Sequence, residues 1–141
     1  MRKFVLTVMS LSLIITSCIP PESDAVLSRS VSRQNPLLYG FNEAVNFADL
    51  QEGDILAATD VALAEAATIL EDILAVPNES RTFENTILPL DNLYNVTGKV
   101  DNPAGLMSEV HESAVIRDEA NSSMILFSKF MNDLSVNEEL Y

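Results

Sequence analysis

Three kinds of side chain in this sequence could do chemistry: a histidine beside a glutamate, several acidic pairs, and a single cysteine. His111-Glu112 matches the first half of H-E-x-x-H, where two histidines one helical turn apart hold zinc and the glutamate activates water. The second histidine would fall at position 115, which is Val115, and the chain has only one histidine. His111 therefore reads as a surface residue of a helix. Asp118-Glu119 and Glu138-Glu139 lack the D-x-[DN]-x-[DN]-G spacing that wraps calcium and read as solvated faces. One cysteine, Cys18, closes no disulfide and founds no Cys-rich zinc module. The 141 residues carry 8 basic against 21 acidic groups, a formal charge of -13. That balance opposes nucleic acid as a partner, because such affinity rests on Lys and Arg displacing counterions. No catalytic, cofactor-binding or metal-ligating residue is expected in this chain.

Cys18 has a different chemistry. Met1-Arg2-Lys3 is basic, and Phe4 to Ile15 is apolar apart from Thr7, Ser10 and Ser12. That run is short of the roughly 20 apolar residues of a membrane span and fits a secretory signal instead. Ile15-Thr16-Ser17-Cys18 resembles a bacterial lipobox, which implies cleavage before Cys18 and acylation of its thiol and new amine. Each buried methylene contributes about 0.8 kcal/mol, so two or three acyl chains hold a protein to a bilayer where one would not. Residues 1–17 are thus expected to be a lipoprotein signal peptide, and residues 18–34 a lipidated cysteine with a flexible tether. The sixteen residues after Cys18 reach roughly 20–25 Å as a random coil. Removing residues 1–17 takes away Arg2 and Lys3 and leaves 6 basic against 21 acidic groups, a charge of -15. The expected location is the bacterial cell envelope with the lipid bilayer as partner. Ile19, rather than Asp, after the cysteine resembles the enterobacterial sorting pattern, which implies the periplasmic face of the outer membrane in a Gram-negative host.

From Asn35 the apolar spacing is helical. At 100° per residue, Ile55, Leu56, Ala62, Leu63, Ala66, Ala67, Ile69, Leu70, Ile73 and Leu74 fall within one arc of about 160°, with Val61 outside it. Gly53 precedes this run, Asp54 is placed to cap it and Pro77 stops it. A second helix is expected from Thr82, whose hydroxyl can accept an amide of the first turn. Its apolar side is Phe83, Ile87, Leu90, Leu93, Tyr94, Val96 and Val100. Pro89 costs roughly 3 kcal/mol in a helix interior, so a kink or break is expected near residues 85–89. Asp101-Asn102-Pro103 reads as a turn with Pro103 opening a third helix. Leu106, Met107, Val110 and Ala114 share one face, as do Ala120, Met124, Phe127, Phe130, Met131 and Leu134. Periodicity alone leaves open whether these two faces belong to one bent helix or two. The expected fold is all-α, with antiparallel hairpins or a bundle of three to four helices over residues 35–141.

Arg81-Thr82-Phe83-Glu84-Asn85-Thr86-Ile87 resembles the Pro-Thr-Phe-Glu-Asn-Thr-Ile segment near the start of the thimet oligopeptidase family, which includes oligopeptidase A and peptidyl-dipeptidase. Asn35-Pro36-Leu37-Leu38 resembles the family's opening motif, and Asn137-Glu138-Glu139-Leu140-Tyr141 its later Asn-x-x-Leu-Tyr. The chain departs from the pattern at Arg81, where proline is usual, and at Pro89, where a helix-compatible residue is usual. The resemblance implies a zinc peptidase that cuts short peptides in a channel between helical lobes. Residues 35–141 would be its N-terminal scaffold and channel wall, with the zinc motif several hundred residues further on. Thr82, Phe83, Glu84, Asn85 and Thr86 would then be structural, no cofactor would be bound by this chain, and zinc would belong to a full-length relative. The implied chain is the N-terminal part of a longer gene, truncated or split. Its implied partners are a separately encoded catalytic half or short peptides. The rival expectation is a stand-alone acidic helical lipoprotein that binds peptides or proteins.

Overall fold

A computed structural model describes residues 33–40 and 42–140, which fall almost wholly in the unit Gln34–Tyr141. The expected signal peptide, Cys18 and the tether up to residue 32 lie outside the described residues. Three long helices carry the fold: α1 (Asp54–Leu74), α2 (Leu88–Val110) and α3 (Ala114–Ser135). Shorter helical turns occupy Phe47–Asp49 and Asn78–Ser80, and a π-helical turn spans Phe83–Ile87. The all-α expectation holds.

Helix α1 begins where Gly53 takes φ 91°, a left-handed conformation that costs other residues roughly 1–2 kcal/mol. Asp54 does not cap this helix as expected. Its carboxylate turns back and accepts the Gln51 amide at 2.8 Å, leaving the first-turn amides to another acceptor. Most of the apolar arc follows its spacing: Ile55, Ala62, Ala66 and Ile73 are buried, Leu63, Ala67, Ile69, Leu70 and Leu74 are half-buried, and Val61 is exposed, but Leu56, placed within the arc, is exposed in the first turn.

The break expected near residues 85–89 takes the form of the π-helical turn. There the Leu88 amide donates to the Phe83 carbonyl, five residues back. Pro89 follows in the first turn of α2, where the register returns to four, so the bond that proline cannot make falls at the change. Pro103 corrects the sequence reading. It opens no third helix but lies buried inside α2, which runs on to Val110. It offers no N–H to the Lys99 carbonyl four residues back, and the Tyr39 hydroxyl donates to that oxygen instead, at 3.4 Å. The Lys99 ammonium lies over the Tyr39 ring, 5.2 Å from its centroid.

The faces on either side of residue 111 belong to two helices, with Ala114 opening α3 instead of ending the one before. His111 to Ser113 make the turn, and the Arg117 guanidinium closes it by donating to the carbonyls of His111 and Glu112. So short a connection forces α3 to run antiparallel to α2. One core cluster joins Ile55, Ala58 and Ala62 to Val100, Ala104, Met107, Ile116, Ala120 and Phe127. The other joins Ala66 and Ile73 to Leu93, Leu134 and Leu140. The start of α1 therefore meets the end of α2 and the start of α3, an up-down-up three-helix bundle. Ala58, Ala62, Ala66, Ala120 and Ser123 are small and buried, which lets α1 and α3 approach closely. Between them the Thr59 and Ser123 hydroxyls share a buried 2.6 Å hydrogen bond. Each large core side chain contributes roughly 1.5–3 kcal/mol by leaving water.

Candidate functional site

The family-like segments are joined by hydrogen bonds that their residue types explain. Thr82 and Asn85 form a reciprocal cap: the Asn85 amide donates to Thr82 Oγ1 at 3.3 Å, and the Thr82 amide to Asn85 Oδ1 at 2.7 Å. Asn85 Nδ2 also donates to the Ser80 carbonyl, and Thr86 Oγ1 to Asn85 Oδ1. Thr82 thus caps its helix as expected. Thr86 is buried, Asn85 half-buried, and Thr82, Phe83 and Glu84 face solvent. These five residues form a helix start and converge on no pocket.

Arg81 occupies the position where the family pattern has proline, with φ -70°, the value that proline would impose. Its guanidinium does what proline could not. It donates to the Val76 carbonyl at 3.2 Å, the Leu140 carbonyl at 3.2 Å and the Glu139 carbonyl at 2.9 Å. The segment after α1 is thereby tied to Asn137–Leu140, whose Leu140 enters the second core cluster. Asn35 fastens the opposite end. Its Nδ2 donates to the Asp54 carbonyl at 2.7 Å while its Oδ1 accepts the Leu37 amide, and Leu37 is fully buried.

Glu119 corrects the reading of Asp118-Glu119 as a solvated pair. Asp118 is exposed as expected, but Glu119 is 8% exposed and accepts the amides of Gly53 and Leu56, each at 2.9 Å. It is the acceptor that α1 lacks in its own sequence, a carboxylate set against the positive end of a helix dipole. Nothing in local spacing marks it, since its partners stand more than sixty residues away; only its place in the Ile116, Ala120 and Ser123 face hints at burial. Glu138 and Glu139 are exposed as expected.

His111 is not helical. It follows α2 in an extended conformation, and its Nδ1 accepts the Ser113 amide at 3.1 Å. Among the described residues no three His, Cys, Asp or Glu side chains are grouped to hold a metal ion. His111 is the one histidine of the chain and Val115 stands where a second would be needed, so the sequence supplies no H-E-x-x-H pair for the zinc that the resemblance implies for the family. Asp101, half-buried on α2, has a carboxyl pushed above the usual carboxylate range by burial.

The concave surface with mixed chemistry is a groove between α1 and α2. Leu37 and Leu38 close one end of it, over Val61, Ala62, Val96 and Val100. Beyond Val96 it opens into a depression of about 360 Å³ walled by Glu65, Asn92, Asn95 and Lys99. A larger, more open depression along α3, from Asn121 to Asp133, is lined by that helix alone. Apolar side chains also stand outward. Phe83 is 59% exposed, Val110 62% and Ile125 69%, and fourteen large apolar residues are exposed among the described residues against eleven buried. No helix of the described residues is long and apolar enough to cross a membrane. No protein-family model matches the chain, and no curated protein or solved structure is significantly similar to it.

Proposed function

We propose that residues 35–141 are the N-terminal scaffold and channel-wall portion of a lipid-anchored zinc oligopeptidase of the thimet oligopeptidase type. In this reading the segment holds no catalytic residue, and Cys18 carries the anchor. The observation that supports it is the outward apolar surface. Large apolar side chains outside the core outnumber those inside it, and they occur on all three helices. Scattered exposed leucines are ordinary, but a soluble surface that includes Phe83, Ile87, Leu88, Val110 and Ile125 suits helices that cover a larger body. The resemblance at residues 81–87 names that body.

Purified alone, the chain is expected to bind an apolar dye in its native state and to hydrolyse no peptide. Chelator-sensitive peptide cleavage by the chain alone would overturn the reading, as would a sharp melt with no dye bound beforehand. A second reading, a stand-alone acidic module that binds peptides or a protein, has its own support. No buried side-chain polar atom among the described residues lacks a hydrogen-bond partner, as in a domain able to fold by itself. The sharp, dye-free melt is its signature. Co-expression with a segment bearing H-E-x-x-H separates the two further, since restored peptidase activity belongs to the first alone.

A further inference from the structure

The segment Gln34–Tyr39 closes one end of the groove and is joined to the bundle by side chains. It forms no helix, and the Leu38 amide donates within the segment, to the Asn35 carbonyl at 3.0 Å. Among the described residues no backbone–backbone hydrogen bond links it to a helix. Instead Asn35 Nδ2 donates to the Asp54 carbonyl and the Tyr39 hydroxyl to the Lys99 carbonyl. Between these two, Leu37 is fully buried in the core cluster that holds Ala62 and Val100. We propose that Gln34–Tyr39 is a lid, latched by Asn35 and Tyr39 and plugged by Leu37, that opens while the three helices stay folded. This inference does not rest on the scaffold reading.

A segment with few backbone bonds to the rest of a protein opens at lower free energy than helices packed in a core. The start of α1 does not depend on the lid, because the amides of Gly53 and Leu56 end on Glu119, which α3 supplies. The two latches bind carbonyls that do not need them. Asp54 opens α1, so the amide four residues on already serves its carbonyl, and Asn35 is an added donor. Lys99 stands exposed at the surface, where water can replace the Tyr39 hydroxyl. Past the lid, the Gly40 amide donates to Glu43 Oε2 at 2.7 Å and the Glu43 amide to the Gly40 carbonyl at 3.2 Å, a turn complete in itself. The cost of opening is therefore concentrated in Leu37, which shuts an aliphatic slot walled by Val61, Ala62, Val96 and Val100. The chain enters the bundle through this lid, so a pull from the residues before it loads the Asn35 latch and the Leu37 plug before any helix.

The test uses the complete chain carrying Cys18→Ser, with a thiol placed by Leu37→Cys or, as a matched control, by Leu93→Cys. Leu93 is equally buried, in the second core cluster. A buried thiol reacts with an aromatic disulfide reagent only when its surroundings open. Leu37→Cys is expected to react at least about tenfold faster than Leu93→Cys, and its rate to rise less steeply with urea. Adding Tyr39→Phe is expected to speed Leu37→Cys about two- to fivefold. Adding Ile73→Val, in the cluster of Leu93, is expected to speed Leu93→Cys about two- to tenfold and to leave Leu37→Cys unchanged. Amide hydrogen exchange on the chain with Cys18→Ser alone gives an independent reading should Leu37→Cys fail to fold. The Leu37 amide, which donates to Asn35 Oδ1 at 2.9 Å, is expected to exchange at least about tenfold faster than those of Leu93 and Thr97, once intrinsic rates are divided out. Equal thiol rates with equal urea slopes, or equal protection of these amides, would mean that the segment leaves only when the bundle unfolds and would overturn the proposal. So would an Ile73→Val effect of the same size at both thiols. Neither readout involves peptide hydrolysis or a larger body, so a failed lid leaves the scaffold reading standing.

Discussion

At the scale of single residues, a carboxylate and two amides decide how α1 begins. The amides of Gly53 and Leu56 meet Glu119 from α3, because Asp54 is engaged with Gln51. Glu119→Ala removes both acceptors and is expected to cost about 1–2 kcal/mol, the range of a lost helix cap. Glu119→Gln keeps one carbonyl oxygen and is expected to lose roughly half as much. Denaturant unfolding of the three proteins checks the order; equal midpoints for Glu119→Ala and the parent chain would mean that water replaces the carboxylate at no cost. Asp101 acts in the opposite sense. Burial raises its pKa in the folded chain above the unfolded value, so the folded state holds the proton more tightly. Its contribution is neutral below the unfolded carboxylate pKa of about 4 and becomes a penalty as pH rises through the folded value. Asp101→Asn is therefore expected to stabilise the protein at pH 7 and to change nothing at pH 3. The gain is small, because the half-buried group keeps much of its solvent. A melting-temperature difference that persists unchanged at pH 3 would assign the effect to something other than ionisation.

At the scale of elements, α2 survives an internal proline because a distant hydroxyl serves the oxygen that the proline leaves. Tyr39→Phe removes that donor and is expected to cost about 0.5–1 kcal/mol in the parent chain. In a Pro103→Ala background the amide restored at position 103 can serve the Lys99 carbonyl, so the same change is expected to cost close to nothing. A double-mutant cycle by denaturant unfolding reads the difference, and equal costs in the two backgrounds would show that the 3.4 Å contact carries no energy. The case also shows why part of this fold is legible in the sequence and part is not. The extent of α1, the Thr82 cap and the interruption before Leu88 follow from local chemistry: apolar period, hydroxyl spacing, a proline near a helix start. Whether Pro103 opens a helix or lies within one depends on Tyr39, far earlier in the chain. Glu119 is hidden for the same reason. An acidic pair reads as solvated until the partner helix is known. The groove is equally invisible, because Glu65, Asn95 and Lys99 are ordinary surface residues in sequence and become walls only when α1 and α2 pair. Arg81 reads in sequence only as a lost proline, since its three carbonyl partners come from two segments far apart in the chain, the one after α1 and the one after α3.

At the scale of the whole molecule, two opposed properties share one surface. Outward apolar groups such as Phe83, Ile87, Val110 and Ile125 favour association, while the charge of -15 left without residues 1–17 keeps copies apart. The balance between them is a matter of screening. At low salt and neutral pH the repulsion extends about 30 Å at 0.01 M ionic strength, farther than any apolar contact, and the unacylated chain from residue 19 is expected to be monomeric. At 1 M salt the reach falls to about 3 Å, and the apolar surface is then expected to drive reversible association. Lowering the pH toward the isoelectric point, near 4.2 for the full chain, removes the charge itself and should do the same without salt. Replacing Phe83 and Ile87 by serine, both exposed and outside the core clusters, is expected to reduce the association at 1 M salt with little effect on the unfolding midpoint. Sedimentation velocity across the salt series measures it. If the parent chain stays monomeric at 1 M salt and near pH 4, its outward apolar side chains are too dispersed to form a working interface. The helices would then stand as a self-sufficient acidic bundle in place of cladding for a larger peptidase.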